Sequence, residues 1–408
     1  MIMLRIIEVL LTSYLLYNLV KIPLSYKKII HLKSSIEGDF PGKERFLMII
    51  PVFKEQERIA KCIENIERLD WEAYKLDVCI CTTQKEPVDG KDTQTILEKV
   101  LTNEKLKYHY EIVRYPFTDG NMAEQVNYAY SQVERKYDII CIYNADSMPE
   151  RASIRYADIC FRNKQIDYVQ QRAIYSNYYK NNIFSIGYSI YQSIFEINKN
   201  LIKDINNNGE NVVGRALYIR KSAINDKIYP TDFFCEDMAL SFELIERNKK
   251  ITTIPCFEIN EPPPRLRDII NQQYVWFHTA LKVKEITKYV MNRFNCTELS
   301  LNTKKKAFRR IIDNIIWIAT SPLMLLITIC DIRYILCMYC YAVVLVLAVD
   351  ICFKVRKYKT ILFDAFCWVL YLFVLSLGPI KCLGKKFTML FRGKEPDVKY
   401  KTPRGKGQ

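Results

Sequence analysis

Acidic residues stand where two apolar runs stop. "DIICIY" (138–143) reads as a buried strand by its length and β-branching, and the chain then turns polar at Asn144, Asp146 and Ser147. "RFLMIIPVF" (45–53) is a second apolar run, and Glu55 follows it. A third acidic stretch, Glu236–Asp237, opens the helical pattern "MALSFELIERN". Carboxylates at such places can hold a cation or take a proton. The same residue types also make surface turns and helix caps, so the elements that carry them must decide.

Those elements alternate. After the run at 45–53, Ile59, Cys62, Ile63 and Ile66 fall at helical spacing. "LDVCICTT" (76–83) gives a second strand, "TQTILEKVLT" (93–102) a helix and "YHYEIVRYP" (108–116) a third strand. "NMAEQVNYAYSQV" (121–133) is again helical and "YDIICIYNAD" is the fourth strand. This pattern predicts an α/β domain, Rossmann-like, with a mostly parallel sheet and helices on both faces. Ligands of open sheets bind beyond the carboxyl ends of the strands, which puts Glu55 and Asp146 on one rim.

The flanks are different in kind. Apolar segments at about 6–24, 311–330, 334–353 and 361–380 each approach the ~20 residues a bilayer core requires. One N-terminal and about three C-terminal transmembrane helices are therefore expected. The first segment has only Arg5 before it, carries Glu8 and lacks a cleavage site, so it reads as a retained anchor. Lys21, Lys27, Lys28 and Lys33 follow it, while Lys304, Lys305, Lys306, Arg309 and Arg310 precede the second. The positive-inside rule then makes the middle cytoplasmic, in a multi-pass protein of the cell membrane. The basic loop "KVRKYKT" (354–360) agrees. A full fourth crossing would put the basic tail outside, against the rule, whereas a break at Gly378–Pro379 would return it to the cytoplasm.

The net charge of +15 sits largely beside these segments, which points to anionic membrane lipids rather than to nucleic acid. Fourteen scattered cysteines without repeated CxxC pairs support neither a zinc site nor a disulfide framework, and fit a reducing compartment. The chain thus divides into an N-terminal transmembrane helix (1–26), a cytoplasmic domain (27–270), amphipathic interface helices (271–310), transmembrane segments (311–382) and a basic tail (383–408).

Five motifs follow in order: "PVFKEQERI" (51–59), "YNADSMP" (143–149), "YVQQ" (168–171), "FFCEDMAL" (233–240) and "QQYVW" (272–276). Their order and spacing resemble the membrane-bound, inverting glycosyltransferases of family 2, which include cellulose, chitin and hyaluronan synthases. The resemblance covers roughly 45–280 and implies a GT-A-like fold. It also implies a nucleotide-sugar donor, foremost a UDP-sugar, and a glycan or lipid-linked acceptor. Asp146 aligns with the second acid of the family's D-x-D motif and would hold Mg²⁺ or Mn²⁺ at the donor diphosphate. Asn144 stands where the first acid belongs; it can still hydrogen-bond a ribose or sugar hydroxyl. Pro51 and Glu55 match the donor-binding stretch after the first strand. Asp237 matches the general base of T-E-D, with Glu236 supporting the loop or the metal shell.

Gln170, Gln171, Gly214, Gln272, Gln273 and Trp276 are the acceptor-side residues that the resemblance implies. Gly214 would lie in a strand at 211–220, where it allows close approach of a sugar or marks a bulge. Trp276 offers a stacking face for a sugar, or equally an aromatic at the membrane interface. "EPPPRLRD" (261–268) reads as a rigid turn leading to the amphipathic "FHTALKVKEITKYVM", and "YKTPR" (400–404) resembles the tail of some relatives. Three departures matter. Asn144 removes a charge, Thr82 and Thr83 replace paired acids after the second strand, and Val275 replaces an Arg that would offer the diphosphate a charged fork. Two alternatives stay open beside a glycan-extending synthase: a transferase that adds one sugar to a lipid-linked acceptor, and a weakened sugar- or nucleotide-binding partner of a synthase.

Overall fold

The computed structural model describes residues 2–36, 42–103, 105–133, 137–175, 182–205, 209–233, 235–353 and 360–392. The loop at 354–359 and the motif at 400–404 lie outside them. In chain order, α1 (Ile2–Ile36) precedes β1 (Phe46–Pro51), α2 (Ile59–Glu67), β2 (Leu76–Thr83), α3 (Thr93–Asn103), β3 (His109–Tyr115), α4 (Met122–Gln132) and β4 (Ile139–Ile142). Then come β5 (Met148–Pro149), α5 (Ser153–Arg162), β6 (Tyr168–Gln170), β7 (Ala173–Tyr175), α6 (Ile183–Phe195), α7 (Ile202–Ile205), β8 (Leu217–Arg220) and α8 (Glu236–Glu246). Last are β9 (Ile251–Thr252), β10 (Glu258–Asn260), α9 (Leu266–Ala280), α10 (Val283–Arg293), α11 (Leu301–Cys330), α12 (Arg333–Phe353), α13 (Ile361–Val374) and α14 (Leu377–Arg392). All fourteen cysteines are free.

Two compact units emerge. The described parts of Ile30–Ala173 and Asn200–Asn260 form the α/β unit. Its main sheet has the order β3-β2-β1-β4-β8-β6-β9. Pairs β1–β2, β1–β4, β2–β3 and β6–β9 are parallel, while β8 runs antiparallel to both β4 and β6. Only β8 is reversed, so the sheet is mostly parallel, as the alternation of elements predicts. Period-2 side chains of β1 feed two cores. Phe46, Met48 and Ile50 pack with Ile59, Ile63 and Ile66 of α2 and with Ile154 and Phe161 of α5. Leu47 and Ile49 pack on the other face with Val126 of α4 and Leu240 of α8. Asn121 starts α4 as a capping box, accepting from the Glu124 N–H while the Glu124 carboxylate accepts from its own.

The second unit comprises 2–29, Ile174–Lys199 and 261–392. Among the described residues, three helical stretches are long and apolar enough to cross a membrane: Leu301–Cys330, Arg333–Phe353 and Ile361–Thr388. The last is not one helix. It breaks at Leu375–Ser376, just before Gly378 and Pro379. Ser376 fixes the break, since its N–H donates to Ser321 Oγ (2.8 Å), its hydroxyl donates to the Trp317 carbonyl (2.6 Å), and the Ser321 N–H donates to Ser376 Oγ (2.9 Å). Gly378 lets α14 close on α9, because a Cβ there would come within 2.5 Å of the Gln273 Cβ. Gly187 of α6 does the same against the Cys367 carbonyl of α13.

A break at Leu281–Lys282 separates α9 from α10, and "QQYVW" lies within α9. In α6, Ser185, Tyr188, Ser189 and Ser193 are buried together with Ile186, Ile190 and Ile194.

Candidate active site

The reversed strand sets the geometry. In a parallel sheet the loops after β1, β4 and β6 emerge at one edge, and a single antiparallel strand brings its own lead-in to that edge. Ile49 pairs with Ile142 across β1–β4, and Ile142 pairs with Leu217, the first residue of β8. Pro51 and Glu55, Asn144 and Asp146, Gln170 and Gln171, and Gly214 therefore share one rim. The sequence at 211–220 reads as one strand; the strand begins at Leu217, and 211–216 is an irregular rail along the rim.

After β1 the chain is held by an acid the sequence reading passed over. Glu86, 7% exposed, accepts from the Lys54 N–H (2.9 Å), Gln56 Nε2 (2.6 Å), the Thr93 N–H (3.0 Å) and Thr93 Oγ1. These bonds support the left-handed backbone of Lys54 (φ 55°), a conformation costly for a side chain with a Cβ. The Glu55 N–H donates to Thr93 Oγ1, and the Glu55 carbonyl accepts from Arg58 and Ile59, so Glu55 also opens α2. Pro51 ends β1, half-buried. No motif announced Glu86. Its signal was only an acid a few residues past a strand end in "CTTQKEP".

After β4, Asn144 to Ser147 form a turn. The Asn144 N–H donates to Ser147 Oγ (3.2 Å) and its carbonyl accepts from the Ser147 N–H (3.0 Å). Asp146 is half-buried within it. The turn rests on a buried polar chain: the Tyr143 hydroxyl donates to Gln171 Oε1 and meets the Tyr218 hydroxyl, the Gln171 amide donates to Ser153 Oγ (3.0 Å), and Ser153 faces Cys256 Sγ at 3.5 Å. Burial pushes both phenols well above their ordinary range, so they act as hydrogen-bonding groups only.

Gln170 and Gln171 are buried, and their amides are spent inside the protein. Gln170 accepts from the Val213 N–H (2.8 Å) and donates to the carbonyls of Arg215 (2.9 Å) and Ala216 (3.2 Å). This clamp holds Ala216 at φ 47°. The rail is also tied to α8, since the Val212 N–H donates to Ser241 Oγ, whose hydroxyl donates to the Asp237 carbonyl (2.8 Å).

Cys235 precedes α8, with Glu236 and Asp237 in its first turn. Asp237 Oδ1 accepts from the Met238 N–H (2.7 Å), so the helix end orients it. Burial, and then the charge of Asp237, push the Glu236 carboxyl up to about 8. Glu236 therefore favours its protonated form beside Asp237. A Cβ on Gly214 would lie 3.8 Å from Glu236 Oε1, so rail and pair adjoin.

In the helical unit, Gln272 accepts from the Tyr188 hydroxyl (2.7 Å), and the buried Gln273 donates to Tyr371. Trp276 is half-buried on the same helix. The carbonyls of Pro263 and Pro264 accept from Ser185 and Asn182, which fixes the proline turn.

Among the described residues, no three His, Cys, Asp or Glu side chains gather as a metal cage. Asp146 is the carboxylate the sequence offers for an ion at this turn. It fits a divalent ion that keeps one protein carboxylate and fills its shell with phosphate and water, as Mg²⁺ commonly does.

No family model matches the chain, and no curated protein matches it by sequence. Among solved structures it is similar to the mannosyltransferase PcManGT from Pyrobaculum calidifontis, in complex with GDP-Man and Mn²⁺, at 12% identity and a TM-score of 0.50, over 91% of this chain and 99% of that one. S. aureus TarS 1–349 follows at 11% identity and a TM-score of 0.44, over 83% and 92%. The likeness to the mannosyltransferase is one of fold, and the α/β unit has a glycosyltransferase fold.

Proposed function

We propose that this chain is a membrane glycosyltransferase of the family 2 kind, transferring a sugar with inversion from a nucleotide-sugar to a growing glycan. The observation that carries the reading is the rim itself: the reversed β8 sets Gly214 and its rail against Glu236, beside Asp237, on the edge where the Asp146 turn emerges. The GDP-Man and Mn²⁺ in complex with the mannosyltransferase support a nucleotide-sugar and a divalent ion as ligands.

In this reading the acceptor hydroxyl attacks the anomeric carbon on the face opposite the diphosphate. The new C–O bond forms as the bond to phosphate breaks, which inverts that carbon. Asp237 takes the acceptor proton, while Glu236 stays protonated and adds no second charge. Mg²⁺ or Mn²⁺ on Asp146, when bound, supplies a Lewis acid to the diphosphate oxygens. Glu55 and Asn144 border the donor, and Gly214 leaves room for the acceptor sugar. The long apolar helices keep the enzyme at the cell membrane, with the α/β unit on the cytoplasmic side where nucleotide-sugars are made.

A panel of nucleotide-sugars offered to detergent-purified protein with Mg²⁺ or Mn²⁺ tests this, reading nucleoside diphosphate release and product mass. Release with one donor is expected; none with any donor would overturn it. A second reading, one sugar added to a lipid-linked acceptor, is favoured by Gln272 and Gln273, whose amides are engaged with Tyr188 and Tyr371, and by Val275. Product length separates the two.

A further inference from the structure

A buried ion pair stands at the start of the rail. Arg172 directly follows the two glutamines, and its Nε donates to the carboxylate of Asp204 in α7; both side chains are 1% exposed. Their backbones are fixed too, since the Arg172 carbonyl accepts from the Glu258 N–H (2.9 Å) and the Asp204 carbonyl accepts from Thr252 Oγ1 (3.1 Å). Burying two charges brings little net stability. What the pair does fix is one peptide group. Arg172 Nη2 donates to the Asn211 carbonyl (2.7 Å), and the N–H of that same peptide, borne by Val212, donates to Ser241 Oγ (3.0 Å). The peptide is planar, so a fixed carbonyl also aims the N–H. Ser241 then donates to the Asp237 carbonyl one turn back in α8 (2.8 Å). Val212 and Ser241 are buried, which shields the path from bulk water.

We propose that Arg172 is a positioning residue for Asp237, acting through the Asn211–Val212 peptide and Ser241, with Asp204 setting the direction of its guanidinium. The proposal rests on the reading of Asp237 as the base. A carboxylate takes a proton only within hydrogen-bonding reach of the attacking hydroxyl, about 2.6–3.2 Å, and a shift of about 1 Å can cost on the order of 10²-fold. Asp237 lies in the first turn of α8, where a helix has the fewest backbone bonds of its own. The Ser241 link to the rail adds restraint at that end. Arg172 suits the task because its guanidinium is planar and forked: Nε faces Asp204 while Nη2 faces Asn211, two directions that a lysine ammonium cannot fix together. The path ends on the Asp237 backbone, so it sets where the carboxylate stands and leaves its charge alone.

The test is steady-state transfer by the full-length protein in detergent, with the nucleotide-sugar that the wild type uses. Arg172→Met with Asp204→Leu removes both charges together, so neither is left buried alone. This pair variant should lose about 10- to 100-fold in kcat while donor KM and nucleoside diphosphate binding stay within about twofold of wild type. Ser241→Ala should lower kcat in the same way. The three substitutions together should lose no more than the larger of the two effects, because both act through one peptide. Should the pair variant not fold, Arg172→Lys, which keeps the charge beside Asp204 without the fork, carries the same cycle with Ser241→Ala. Wild-type kcat in the Arg172 variants would overturn the proposal, as would losses that multiply in the combined variant or an equal loss of diphosphate binding. Wild-type turnover by Asp237→Asn would instead remove the base reading on which the proposal rests.

Discussion

Gly214 and Glu236 are in contact distance across the rim: a Cβ on the glycine would sit 3.8 Å from Glu236 Oε1 and 2.7 Å from the terminal methyl of Met122. The methionine end is flexible and can yield to one methyl group. Gly214→Ala should therefore keep fold and nucleotide binding with a modest loss of transfer. Gly214→Val should abolish transfer while nucleoside diphosphate still binds. Transfer by Gly214→Val at the wild-type rate would remove the rail from the acceptor side.

Asp237→Asn tests the base. Transfer should fall by about 10²- to 10⁴-fold, the range for loss of general base catalysis, with nucleotide affinity unchanged. Turnover near wild type would end the assignment.

Glu236 makes the pair sensitive to pH. Its folded pKa is raised, to about 8, above that of an unfolded glutamate. Folding therefore favours the protonated form, and the associated stability is full below the unfolded value and is lost as pH rises to about 8. Glu236→Gln imitates the protonated acid at every pH. Its melting temperature relative to wild type should rise from pH 5 to pH 8 and then level off. Parallel curves would show that Glu236 titrates normally.

Asn144→Asp restores a second carboxylate beside Asp146. The Mg²⁺ or Mn²⁺ concentration for half-maximal activity should drop, as a second anionic ligand strengthens binding of a hard cation. An unchanged metal titration would leave 144–147 as a turn and nothing more.

Glu86→Gln turns one oxygen of a four-donor hub into an N–H₂ group facing other donors. Loss of about 1–3 kcal/mol in stability is expected for buried groups left unsatisfied. Donor KM should rise more than kcat falls, because the loop at 51–56 is loosened rather than the proton acceptor. A kcat effect with KM intact would assign Glu86 elsewhere.

The sheet was legible in the sequence because each of its first four strands is followed or preceded by a helix of clear period, from "RFLMIIPVF" to "YDIICIYNAD". Glu55 and Asp146 could be placed on one rim from that alternation. The direction of β8 could not, since a four-residue strand with three buried residues in succession looks alike in either orientation. Gln170 and Gln171 read as acceptor-side polar groups, yet a run such as "YVQQ" carries no sign that its amides will be spent on the backbone of 213–216 and on Tyr143 and Ser153. Glu86 was missed for a related reason: it matters through partners on other elements, Lys54 after β1 and Thr93 at the start of α3. The break after α13 was half legible, because Gly378 and Pro379 mark the region while the Ser321–Ser376 lock that fixes it joins residues 55 apart.

Reversal of β8 also bears on how the rim is assembled. Ile49 and Ile142 meet across β1–β4 from farther apart in the chain than Ile142 and Leu217 do across β4–β8. Both pairings are long-range contacts of the kind that slow folding. The Asp146 turn and the rail at 211–216 therefore depend on the same late closure around β4, and a chain that has not yet seated that strand has neither side of the rim.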